Sequence, residues 1–263
     1  MKPCVLTPAV LALAAAIGPQ ATAAATLQAF AGIELTVTHN TGGVPVNNYR
    51  LLPLDSAPQT DTTDGDGVNT GGVTAIATGE QGVLPPFVSQ VRVDAESRTS
   101  VEGEARFRYE AQQRFSTVRS ATEDRSITIE LAALPGLDGE VLFASGESEA
   151  PGDLGRALAR ITLEREGFEG TMYSRSIDAS LLGTSPGDTV SDQFSLGAPV
   201  EFFVDLPATG ENVGETVIFS LTLAVETSAI SSMPPSVIPL PPAAPLLALG
   251  LGCLALLRCR PGA

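Results

Sequence analysis

The sequence predicts an all-β fold: an antiparallel β-sandwich or jelly-roll-like domain, flanked by an N-terminal signal peptide and a C-terminal hydrophobic helix. Three observations carry this expectation. Several short stretches alternate apolar with polar residues, turn-forming Pro, Gly and Asp lie between them, and the two long apolar runs sit at the chain ends.

The strands are read in chain order. Leu35 and Val37 start the pattern near the N-terminal side. Val101, Gly103, Ala105, Phe107 and Tyr109 then alternate with Glu102, Glu104, Arg106, Arg108 and Glu110, which specifies one buried and one wet face. Ile127, Ile129 and Leu131 repeat the period, as do Ile161 and Leu163, then Val200, Phe202, Val204 and Leu206. Val217, Phe219, Leu221, Leu223 and Val225 give a second five-member run. Turn chemistry separates them at Leu134-Pro135-Gly136, Leu137-Asp138-Gly139, Pro151-Gly152-Asp153 and Ser185-Pro186-Gly187-Asp188. Only Asp153 to Arg165 offers a helix, with Asp153 as N-cap and Leu154, Leu158 and Ile161 on one face. Gly155 disfavours it by up to about 1 kcal/mol, so a strand from Ala159 to Arg165 is the leading reading. Residues 40–88, rich in Gly, Asn, Thr, Asp and Pro, are expected to be a long loop system or an ornamented edge. The pentapeptide Asn-Thr-Gly-Gly-Val occurs there twice, at 40–44 and 69–73, and paired turns account for it, since a solenoid normally needs three or more units.

With 263 residues, the chain is long enough for one domain with a substantial core. Thirty acids against fifteen bases give a net charge of −15, the wrong sign for nucleic acid or an anionic membrane surface. One His and three Cys leave little room for transition-metal chemistry or a disulfide framework. All three cysteines, Cys4, Cys253 and Cys259, lie near the ends, as does Lys2, the only lysine. Between the terminal segments, twelve arginines face the same thirty acids, a net charge of −18.

The first 25 residues read as a secretory signal peptide: Lys2, an apolar run from Val5 to Ile17, and small residues from Ala21 to Ala25. Ala21 and Ala23 fit the A-x-A cleavage pattern, with Ala23 and Ala25 as the second choice. Residues 26–236 form the expected exported domain, and 237–263 a separate tail. In that tail Pro239-Leu240-Pro241 precedes an uncharged apolar segment, 243–257, and the basic pair Arg258 and Arg260 follows. Those 15 residues would span about 22 Å as a helix against roughly 30 Å of hydrocarbon, short for a permanent anchor.

This tripartite tail resembles the PEP-CTERM class of sorting signals, in the variant whose motif is Val-Pro-Leu-Pro-Ala. Pro239-Leu240-Pro241 matches the motif centre, Ala243-Ala244-Pro245-Leu246-Leu247 the run that follows, and Leu254-Ala255-Leu256-Leu257-Arg258 the exit. Ile238 and Pro242 depart from the motif, and the resemblance covers only the last 25 or so residues. It implies export in a Gram-negative bacterium, transient anchoring in the inner membrane, recognition by an exosortase-type membrane peptidase, and delivery to the cell surface or extracellular matrix.

Several motifs invite chemistry. Asp61, Asp64 and Asp66 offer hard oxygen ligands for calcium, the one cofactor the sequence suggests. They do not form an EF-hand, because Thr62 and Val73 fall where the first acid and the bidentate glutamate belong. Gly183-Thr184-Ser185-Pro186-Gly187 matches the nucleophile-elbow expression, but it precedes a turn signal, and the only histidine, His39, comes before Ser185. His39 is expected to be a polar strand-end residue. Glu102 and Glu104 share a strand face about 7 Å apart, but Arg106 and Arg108 share it too, which makes a charge ladder rather than an acid–base pair. Without Trp, and with phenols only at Tyr49, Tyr109 and Tyr173, the chain is poor in the aromatic platforms sugars stack on. The expectation is therefore a non-enzymatic cell-surface or matrix protein, with exopolysaccharide as a partner. A calcium-dependent carbohydrate-binding adhesin and a secreted polysaccharide-acting enzyme are the alternatives.

Overall fold

Thirteen strands and no helix make up the described residues, 25–39, 50–78, 87–99, 102–210 and 215–232, of a computed structural model. In chain order they are β1 (Ala25–His39), β2 (Arg50–Leu51), β3 (Asp55–Gly65), β4 (Val68–Thr78), β5 (Phe87–Thr99), β6 (Glu102–Val118) and β7 (Arg125–Ala132). There follow β8 (Glu140–Glu147), β9 (Leu154–Arg165), β10 (Thr171–Leu182), β11 (Thr189–Ser195), β12 (Val200–Leu206) and β13 (Thr216–Ser232). The signal peptide, the sorting tail and the first pentapeptide copy lie outside the described residues.

All pairings are antiparallel and fall into two sheets. The β1 sheet runs β11-β8-β1-β5-β4. β7 joins β1 farther along the edge that β8 occupies, at Glu34 to His39, and carries β12 outside it. The β13 sheet runs β10-β9-β13-β6, with β2 and β3 sharing the far edge of β6.

Alternation decides which side of each strand is buried. In β13, Val217, Phe219, Leu221, Leu223 and Val225 all point inward. Leu27, Ile33 and Leu35 of β1 and Val91 and Val93 of β5 do the same from the other sheet, and one continuous apolar cluster joins the two. Phe115 of β6 and Phe219 stack with ring centroids 4.9 Å apart, and Phe87 of β5 meets Phe115 edge-on at 5.6 Å. Each such fully buried side chain contributes about 1.5–3 kcal/mol.

Of the two readings of residues 40–88, a long loop system or an ornamented edge, the described part fits the edge: residues 55–65 and 68–78 are eleven-residue strands. Both lie at sheet edges with most side chains exposed, so neither needs the apolar alternation that marks a strand in sequence. Pro58 is tolerated in β3 because it sits on the edge, where the register shifts between Pro58 and Thr60. The second pentapeptide copy is likewise strand, not turn: Asn69 to Val73 lie within β4. Gly71 is needed there, because a Cβ would come within 2.3 Å of the Phe107 ring. The segment after Asp153 is strand rather than helix: the strand read from Ala159 to Arg165 is present and begins earlier, at Leu154.

Candidate functional site

The acidic motif lies on an exposed corner. Asp61 and Asp64 belong to β3 and Asp66 to the turn that follows, where the chain crosses from the β13 sheet to the β1 sheet. Three strand positions apart, Asp61 and Asp64 point to opposite faces. Asp61 accepts a hydrogen bond from Asn69 Nδ2 at 2.9 Å, and Asp64 from the Gly65 amide at 2.8 Å. Among the described residues no three His, Cys, Asp or Glu side chains gather to hold a metal ion.

Asn69 instead ties four strands together. It also donates to the carbonyls of Thr62 and Arg106, and its Oδ1 accepts from Ser97, whose hydroxyl lies 2.7 Å from that of Thr227 across the core. Asp153 plays a similar part at the corner between β8 and β9. Only 1% exposed, it accepts from Ser148 Oγ, the amides of Glu149 and Ala150, and Ser231 Oγ. These donors satisfy a buried carboxylate where no cation does.

The Gly-x-Ser-x-Gly stretch is a turn between β10 and β11. The Asp188 carboxylate accepts from Thr184 Oγ1 and from the amides of Thr184 and Ser185 at 2.7–2.8 Å, which holds its pKa below the usual range. A strand follows it, not a helix. His39 is the last residue of β1, opposite Ile127.

On its outer side the β13 sheet is a chequerboard of charge. Glu104 pairs with Arg106, Arg108 with Glu110 at 3.5 Å, and Arg156 forks onto Asp178 with contacts of 2.5–3.0 Å. The Arg156 hydrogen bonds hold the Asp178 pKa down. A shallow groove of about 580 Å³ crosses this face, floored by Ser174, Ser176, Thr162, Thr222 and Ala224, with no aromatic ring in its lining.

The outer side of the β1 sheet is built differently. Phe30 of β1 lies directly opposite Phe143 of β8, and their rings stack with centroids 5.7 Å apart and planes 21° apart. Both are only partly buried. Arg92 of β5 lies over Phe30, 4.6 Å from its centroid, and binds Asp94 through Nε and Nη2 at 2.6–3.0 Å. That hydrogen bonding raises the Arg92 pKa. Glu96, Gln28 and Glu140 complete the surround of a depression of about 370 Å³. The sequence pointed away from any aromatic platform by counting Trp and Tyr. The two phenylalanines are distant in the chain and become neighbours only through the β1–β8 register. Tyr109 and Tyr173 pack partly against the core instead.

No family model matches the chain, and no curated protein matches it in sequence.

Proposed function

We propose that the protein is an exported, non-enzymatic component of the cell surface or extracellular matrix, folded as a β-sandwich of jelly-roll type and sorted by its C-terminal tail. The tail carries this reading: Pro239-Leu240-Pro241, an apolar segment and the Arg258/Arg260 stop follow the last strand in the order a membrane-paused sorting signal requires. Two facts support it. Every described strand lies within residues 25–232, so a cut on either side of that range spares all thirteen of them. The two sheets also face one another across a single core, as in a sandwich.

An exosortase-type membrane peptidase is the processing partner, and exopolysaccharide the partner after release. Of the two cleavage points, after Ala23 or after Ala25, the first is the one supported by Ala25 being fully buried and paired with Thr99 at the head of β1. Cutting after Ala25 would remove that residue. Replacing Pro239, Leu240 and Pro241 with alanine is expected to abolish surface release and leave a heavier, membrane-retained protein. Unchanged mass and release would refute the sorting reading.

A further inference from the structure

The Phe30–Phe143 pair sits in the middle of a longer feature. A depression of about 220 Å³ beside Thr26 and Ser145 shares Gln28 with the central one, and a third, of about 190 Å³ beneath Leu134, shares Arg92 with it. The three lie side by side as a row of depressions on the outer face of the β1 sheet. Along β1 the first two run from Thr26 to Phe30, about 13 Å at ~3.3 Å per residue. An open row of this kind suits a segment of polymer better than a single small molecule.

Its chemistry narrows the polymer. Ring faces are electron-rich and attract the weakly positive C–H face of a sugar ring, and more strongly an ammonium group. Around the rings stand one cation, Arg92, and three carboxylates, Asp94, Glu96 and Glu140. Arg92 is already engaged by Asp94, and Glu96 pairs with Arg98 at 3.6 Å and accepts from Gln28, so the local surplus is the single carboxylate of Glu140. Beyond them the chain between its terminal segments carries −18, which repels any polyuronate or sulfated glycan. Gly72, in register with Asp94, leaves its side of the row open, since a Cβ there would meet nothing within 4 Å.

We infer that the outer face of the β1 sheet binds an amine-bearing polysaccharide, a hexosamine polymer with free amino groups, by stacking on Phe143 beside the Arg92-covered Phe30 and pairing an ammonium group with Glu140. The inference rests on reading the protein as a surface or matrix component, and it needs no calcium.

The test uses the full chain purified in mild detergent, at mildly acidic pH where the amines are charged. Three hexasaccharides of the same linkage serve as probes: glucosamine, glucose and a uronate. The glucosamine probe is expected to bind, the glucose probe at least about tenfold more weakly, and the uronate not at all. Phe30→Leu and Phe143→Leu each keep an apolar residue at the site and are expected to cost about tenfold in affinity. Glu140→Gln should lower binding, and Glu226→Gln on the other sheet should not. Glucosamine binding unaffected by both Phe substitutions would reveal mere attraction of a polycation to an acidic chain and overturn the site. Equal binding of the glucose probe, or no binding of either at millimolar concentration, would overturn the ligand. None of these outcomes depends on processing, so a failed sorting reading would show separately, in the mass and release of the alanine-substituted tail.

Discussion

The two outward faces share a core and differ in kind. On the β13 sheet, Arg and Glu alternate along and across strands, and the cations neutralise neighbouring carboxylates. On the β1 sheet an outward position of the central strand is an aromatic residue, Phe30, stacked on another, with ion pairs Arg92–Asp94 and Arg98–Glu96 beside it and Glu140 left over. Charge ladders keep a sheet face wet and give little affinity for anything. Half-buried rings in a depression give up hydration cheaply and offer a surface to a partner. Equal burial beneath does not make equal surfaces.

The comparison can be broken first from beneath. Phe219→Ala removes a fully buried ring stacked on Phe115 and should cost about 3–5 kcal/mol, read by denaturant unfolding. It should loosen both faces together, and retention of stability would mean that the sheets do not share one core. Asp153→Ala comes next. It takes from the Glu149 and Ala150 amides the acceptor they share at the β8–β9 corner, and a contact from Ser148 and Ser231, and should cost about 3 kcal/mol, with Asp153→Asn milder.

The faces themselves should then separate. Phe143→Leu is expected to change stability by less than about 1 kcal/mol while weakening glycan binding. Arg156→Ala should alter stability by no more than about 1 kcal/mol and leave binding untouched, because its ion pair with Asp178 is solvent-exposed. The pH dependence has a definite sign. Asp178 and Asp188 both have depressed pKa values, so their contribution is present above about pH 4, the unfolded carboxylate range, and is lost as pH falls through the folded values. Asp188→Asn should flatten the acid limb of the melting profile slightly. Smallest of all, millimolar calcium is expected to leave the melting temperature unchanged. A rise would mean that Asp61, Asp64 and Asp66 assemble a site with carboxylates their present orientations keep apart.

Much of the fold was legible where burial is one-sided. β6, β7, β12 and β13 announce themselves because large apolar residues recur at every second position. β5 obeys the same rule, but its inward positions include Ser89 and Ser97, whose hydroxyls find partners inside the core, and the buried Thr99, and these small polar residues blur the signal. β3 and β4 carry almost no signal, since edge strands with exposed side chains need none. The aromatic pair was invisible for another reason. A platform made of two phenylalanines on paired strands depends on register, and register between β1 and β8 is a property of the whole sheet rather than of either segment.

The central claim is that residues 25–232 are a folded cargo released between two processing signals. Intact-mass and terminal sequencing of the protein recovered from the cell surface tests it most directly. The account predicts a chain that begins at Ala24, retains Ser232 and lacks Arg258 and Arg260, well below the 27.1 kDa of the full sequence. Recovery of the full mass, with Met1 and Ala263 in place, would contradict it.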